Sequence, residues 1–140
     1  IRLNTYVAAR LPRLMVDPIL IEQVLINLMK NGGEAIVQAQ RPPAQRHIEL
    51  TVTPRRVDDR EVVEFSVKDT GQGVPMEQLE RIYEAFYSTK SEGMGIGLKL
   101  CRSIVESHHG RLQARNLYNA QEITGCEFSF WIPVSSPANA

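Results

Sequence analysis

Apolar residues recur along the chain first by twos, then by threes and fours, and each change of period marks an element. "RLMVD", residues 13 to 17, reads as a short strand. Asp17-Pro18 then opens a helix, with the aspartate as N-cap and proline at the first helical position. Ile21, Val24, Leu25 and Leu28 form its apolar stripe, and "RPP" stops it after about Gln40. "HIELTVT" and "EVVEFSVKD" alternate by twos and read as an antiparallel pair around "PRRVDDR". Pro75 starts a short helix in which Leu79, Ile82, Tyr83 and Phe86 recur at helical spacing. A second long helix is expected from about Gly97 to His108, with Leu100, Cys101, Ile104 and Val105 inward and Gly110 as its stop. "RLQAR" and "CEFSFWI" complete the set as two more strands. This order predicts an α+β fold, a two-layer sandwich whose mixed, mainly antiparallel sheet carries the helices on one face.

Composition narrows the function classes. The chain has 140 residues, 43% of them hydrophobic, with 16 basic and 16 acidic side chains. That suits one domain over residues 1–134 with a small, polar tail, "SSPANA", at 135–140. The balanced charge speaks against nucleic acid as a partner, and no apolar run is long enough to cross a membrane. Cys101 and Cys126, with His47, His108 and His109 scattered, make no metal motif and read as core thiols in a reducing compartment. The opening "IRLNTYV" has neither an initiator methionine nor a targeting pattern, so a fragment of a longer chain is expected.

Three places break the pattern. On the first long helix Gln23, Asn27, Lys30, Asn31 and Glu34 share one polar face. Asparagine is a poor helix former, so two of them one turn apart suggest a task beyond solvation, such as offering hard oxygens to Mg²⁺. Gly32 and Gly33 follow directly, which suggests a close neighbour. The second break is Asp69, which continues the face of Val63, Phe65 and Val67, so its carboxylate turns inward and requires a partner. An aspartate capping its own turn is the plainer reading of that position. The third is "STKSEGMGIGLKL", where Gly93, Gly95 and Gly97 stand at every second position before a helix. Bare amides at a helix start suit a phosphate, whereas a flexible loop is the simpler reading.

Taken in order, these stretches resemble the catalytic ATP-binding domain of sensor histidine kinases, within the superfamily of gyrase, the ninety-kilodalton heat-shock chaperone and the mismatch-repair ATPases. "QVLINLMKNGGEAI" resembles the family's N box, "DTGQGVP" its first glycine box, "FYSTK" its phenylalanine box and lid, and "GMGIGL" its second glycine box. "IVESHHGRL" is similar to the helix end and strand that follow, and the short lid is nearest to the oxygen- and dicarboxylate-sensing branch. The resemblance spans about Leu14 to Pro133 and implies the Bergerat ATP-binding fold. It implies ATP and Mg²⁺ as cofactors, with Asp69 taking the adenine amine and Gly71 and Gly73 letting the backbone pass the base. Asn27 and Asn31 would ligate the metal. Lys30, Phe86, Thr89, Lys90, Gly93, Gly95, Gly97 and Leu98 would complete the nucleotide site, with Asn27 and Lys90 the catalytic pair.

Gyrase-like relatives carry a glutamate base where Asn27 stands, and Gly32 replaces a usual alanine. An amide takes no proton, so the resemblance implies weak hydrolysis and transfer of the γ-phosphoryl group to a histidine. None of the three histidines sits in a phosphoacceptor motif. The implied partners are therefore a dimerisation and phosphoacceptor domain of the same polypeptide and, downstream, a response regulator. The whole protein is expected to be a cytoplasmic homodimer or one anchored in the inner membrane, with no membrane contact by this domain. Two other readings stay open: a non-catalytic module gated by nucleotide, and a protein-serine kinase of the same superfamily.

Overall fold

The computed structural model describes residues 1–75 and 92–134, with backbone alone at 92–96. Five strands make one sheet: β1 (Arg2–Val7), β2 (His47–Val57), β3 (Arg60–Asp69), β4 (Arg111–Asn119) and β5 (Glu122–Pro133). Their spatial order is β1-β2-β3-β5-β4, with β1 parallel to β2 and every other pair antiparallel. Helices α1 (Pro18–Ala39) and α2 (Glu92–Ser107) supply the other layer, and a 3₁₀ turn at Pro43–Gln45 leads into β2. This is the mixed, mainly antiparallel α+β sandwich that the periodicity predicts. The anticipated helix after Pro75 lies outside the described residues.

Each element forms for a local reason. Asp17 caps α1, accepting hydrogen bonds from the N–H groups of Ile19 at 3.0 Å and Leu20 at 3.3 Å, with Pro18 behind it. Ile21, Val24, Leu28, Gly32 and Ile36 form the buried stripe, and Gln40 ends the helix in the left-handed region at φ 54°. The β2–β3 hairpin turns on Asp58 and Asp59, both at positive φ, as a tight two-residue turn requires. Pro54 therefore lies inside β2, opposite Val63, but beyond Val7, where β1 ends, so its missing N–H leaves no ladder bond unmade.

The core lies between helices and sheet. Val24, Leu28 and Ile36 of α1 meet Leu98, Cys101, Ile104 and Val105 of α2 over Ile48, Val67, Phe128, Phe130 and Ile132. Phe65 and Phe130 stack with centroids 4.7 Å apart. On the opposite sheet face the buried Glu127 accepts hydrogen bonds from Ser66 Oγ and Arg115 Nε. Burial alone would raise its carboxyl pKa, but Ser66, Arg115 and Lys68 hold it below the ordinary value.

The structure corrects four expectations. The strand at "RLMVD" does not form: Leu14 and Val16 pack on the core and Met15 is exposed, so the alternation is real but the segment joins no ladder. The strand forms instead at Arg2–Val7, an edge strand exposed along its length, where burial imposes no pattern to read. Leu100 is 45% exposed and faces away from the core. Helix α2 starts at Glu92, before the three glycines, so Gly93, Gly95 and Gly97 lie within helical backbone and not in a hinge ahead of it.

The fourth concerns the end of α2, where Gly110 is expected as the stop. His108 instead donates Nδ1–H to the Ile104 carbonyl at 2.8 Å and accepts from the Asp17 N–H at Nε2, 3.1 Å away. His109 takes the left-handed position at φ 66°, and Gly110 N–H closes the helix on the Val105 carbonyl at 3.0 Å. Gly110 is required by close approach: a Cβ there would collide with the Trp131 carbonyl oxygen. Asp17→Ala should lower stability to urea by about 1 kcal/mol, the usual worth of a cap. Gly110→Ala should cost about 3 kcal/mol, since backbone must move to admit the methyl.

Candidate functional site

Parity along β3 carries Asp69 to the helix-facing side, and the carboxylate is 4% exposed. It pairs in register with Ile48 on one side and Cys126 on the other. Oδ1 accepts the Gly71 N–H at 2.8 Å, so the aspartate also closes its own turn. Burial, the largest influence, pushes its pKa up to about 6, against the opposing effect of backbone N–H bonds from Gly71 and Cys126.

Glycines surround this acid because side chains would strike it. A Cβ at Gly32 of α1 would lie 3.2 Å from Asp69 Cβ and 3.4 Å from Oδ2. At Gly71 it would come within 2.6 Å of Ala35 Cβ, and at Gly125 it would collide with the Asp69 carbonyl oxygen. Gly73 turns at φ 75°, with Ile123 and Asn116 pressed against it. The loop 70–74 is thus wedged between the end of α1 and the β4–β5 hairpin.

Two side chains fasten that loop. Arg41, just past α1, donates Nε to the Thr70 carbonyl at 2.7 Å and Nη2 to the Gly71 and Ile123 carbonyls at 3.0 and 3.2 Å. Asn116 grips Val74 from both sides, accepting its N–H at 2.8 Å and donating to its carbonyl at 2.6 Å. Thr70 Oγ1 accepts the His47 N–H at 2.9 Å. None of Arg41, Asn116 or Gly125 is among the residues singled out from the sequence. The parity that exposes Asp69 as inward would have exposed Asn116, which follows Leu112 and Ala114 by twos. Arg41 leaves no periodic signal, sitting between a helix end and two prolines.

The two helices run antiparallel along the site. Asp17 meets His108, and Val24 meets Cys101, whose thiol points to its carbonyl at 3.8 Å. Burial, the largest influence, pushes the Cys101 thiol pKa up to about 11, and the Asn27 side chain, one turn further on, acts against it. The same antiparallel course carries Asn31 toward the glycine-bearing start of α2. Asn27 and Asn31 are both part-buried, and Asn31 Nδ2 is buried without a hydrogen-bond partner among the described residues. Lys30 is exposed. Among the described residues nothing lies within 4 Å of where a Cβ at Gly97 would stand, whereas Leu98 is buried in the core. Phe86, Thr89 and Lys90 lie outside the described residues, and at Gly93 and Gly95 only helical backbone is described. Asn27, Asn31, Gly32, Asp69, Gly71 and Gly73 are thus gathered along one end of α1 and the loop after β3.

Residues 16–136 match the histidine kinase-, DNA gyrase B- and HSP90-like ATPase family. The chain belongs to this family. Among relatives, it is 43% identical over 112 residues to the C4-dicarboxylate transport sensor protein DctS of Rhodobacter capsulatus, covering 80% of this chain and 16% of that protein. It is 38% identical over 121 residues to the sensor protein FixL of Bradyrhizobium diazoefficiens, covering 86% and 22%. The chain thus spans less than a quarter of either relative. Among solved structures it superposes on the catalytic domain of the histidine kinase ThkA with TM-score 0.73 at 30% identity, covering 95% of this chain and 78% of that one. The family shares its ATPase fold, and Asp69, Gly71 and Gly73 stand in the ATPase domain's loop after β3.

Because burial raises the acid's pKa above its value of 3.8, the charged form is the disfavoured one in the folded domain. Its drag on stability is absent below pH 3.8, grows as pH rises, and is complete above about 6. Asp69→Asn should therefore raise the melting temperature at pH 7.5, corresponding to about 1–3 kcal/mol, and the difference should shrink as pH falls through 6 toward 4. Thermal melts of both forms across that range check it; a neutral or destabilising effect at pH 7.5 would contradict the burial account.

Proposed function

We propose that the chain is the ATP- and Mg²⁺-binding catalytic domain of a sensor histidine kinase, donating the γ-phosphoryl group to a histidine on a dimerisation domain of the same polypeptide. The observation that carries this reading is a buried carboxylate kept in place by a clamped glycine loop and packed against Gly32 of α1, the helix that carries two part-buried asparagines one turn apart. Such an acid is destabilising unless it has work to do. Recognition of the exocyclic amine of adenine gives it that work, with Gly71 and Gly73 leaving the base free passage.

The residues present fit the nucleotide and its metal. Carboxamide oxygens of Asn27 and Asn31 are neutral, hard donors suited to Mg²⁺, and Asn31 Nδ2, buried with no hydrogen-bond partner among the described residues, fits a phosphate oxygen. When bound, the metal neutralises charge on the phosphates. The protein's own share is positioning: Asp69 fixes the base, and the asparagines hold the phosphate end, toward which the antiparallel course of the helices carries the start of α2. Asn27 cannot accept a proton, so hydrolysis by this domain is expected to be weak, and a histidine acceptor brings its own lone pair. Thr89, Lys90 and Phe86 would close over the phosphates, with Lys30 at their margin.

DctS and FixL are named as sensor proteins and are several times longer than this chain, which supports a phosphoacceptor domain in the same polypeptide. A response regulator downstream, a dimeric whole protein and a cytoplasmic location, where ATP is available, complete the reading. With Mg²⁺ present, calorimetric titration of the chain with ATP should give saturable binding, and Asp69→Asn should lower the affinity about tenfold or more. Labelled phosphate from ATP should appear only on an added phosphoacceptor hairpin, and that product should be acid-labile. An acid-stable product would indicate a serine acceptor, and binding without any transfer would indicate a gating module.

A further inference from the structure

Arg41 is an unusual cation. Among the described residues it makes no salt bridge and spends its guanidinium on main-chain carbonyls. Nε donates to Thr70 at 2.7 Å, and Nη2 to Gly71 and Ile123 at 3.0 and 3.2 Å. Its own backbone is braced, with Gln40 before it in the left-handed region and the Arg46 Nε–H donated to the Arg41 carbonyl at 2.7 Å. The Thr70 carbonyl belongs to the same peptide unit as the Gly71 N–H. A trans peptide is planar, and its C=O and N–H point to opposite sides. Arg41 therefore holds one side of that unit, while Asp69 Oδ1 accepts from the other at 2.8 Å. One line of hydrogen bonds runs from guanidinium to carbonyl, through the peptide, to the buried carboxylate.

We propose that Arg41 is a positioning residue for base recognition, acting on Asp69 through the Thr70–Gly71 peptide. The inference deepens the reading above and rests on it, since it takes Asp69 as the acceptor of the purine amine. Two physical effects combine. A cation on the carbonyl polarises the peptide and strengthens its N–H as a donor to the carboxylate, as in other chains of hydrogen bonds at low dielectric. The second effect is conformational. A peptide followed by glycine turns over cheaply, because Gly71 has no Cβ to oppose the new φ. Such a flip would withdraw the N–H from Asp69 and free the acid to rotate. Arg41 Nη2 opposes the flip by holding the next carbonyl, that of Gly71, and ties both to the β4–β5 hairpin at Ile123. Oδ1 is thus committed to the protein, and Oδ2, on the α1 side beside Gly32, keeps a set direction.

The test compares ATP with purine riboside triphosphate, which differ only in the exocyclic amine, by calorimetry with Mg²⁺ on the chain and on Arg41→Met, a variant of similar length with no donor. The wild type should prefer ATP by about tenfold or more. Arg41→Met should narrow that preference to within about threefold, by weakening ATP while the analogue's affinity stays within about twofold. An arginine that only supports the fold would weaken both nucleotides together or neither, and an unchanged preference overturns the proposal. Asp69→Ala separates this inference from its foundation. If the wild type shows no preference, or Asp69→Ala keeps it, Asp69 does not read the amine, and the reading above fails with this inference. If Asp69→Ala abolishes it and Arg41→Met leaves it intact, Asp69 recognises the base unaided and the positioning role alone is overturned. Should the methionine variant fail to fold, the wild type still decides. Its Gly71 N–H and Arg41 Nε–H protons, followed by NMR on the ¹⁵N-labelled chain without nucleotide, should both exchange slowly, and fast exchange at either overturns the proposal.

Discussion

One interaction organises this molecule: the burial of the Asp69 carboxylate, carried by the last residue of β3, against the glycine face of α1. A charge in that place is expensive, and the structure answers by supplying backbone N–H donors from Gly71 and Cys126 and by removing side chains around it. Gly32, Gly71 and Gly125 each leave space that even a methyl group would fill. The loop that follows is then held by Arg41 on one side and Asn116 on the other. Backbone hydrogen bonds that strand and helix cannot supply are thereby met by side chains from two distant parts of the chain.

The same acid links stability to function. A domain built only to fold would place asparagine or a hydrophobe at position 69, since the pKa pushed up to about 6 records a penalty on the ionised form near neutral pH. That penalty is acceptable because burial also strips the carboxylate of competing water, so that a ligand donor meets it at full strength. A site of this kind is selective by default: what cannot donate to the acid leaves it unmatched.

Much of this was readable before any coordinates. The strand parity that turns Asp69 inward, the Asp17-Pro18 start of α1 and the apolar stripes of both long helices follow from spacing alone, and the structure has them. What escaped did so for definite reasons. β1 lies on an exposed edge, where no face is selected by burial and alternation carries no weight. Leu14 and Val16 alternate like a strand because they cross the core margin, although they pair with nothing. The glycines of the second box look like a break in helical propensity, yet α2 runs through them, since tertiary packing overrides a cost of about 1 kcal/mol each. Arg41 acts through contacts between remote segments, and no local pattern announces such contacts.

The junction of Asp17 with His108 has a mechanical corollary. It rivets the first turn of α1 to the last turn of α2 through a single imidazole. One ring thus sets the axial offset of the two helices, and the meeting of Val24 with Cys101 further along the seam inherits it. The asparagine face of α1 is accordingly placed against α2 from the opposite end of the helix.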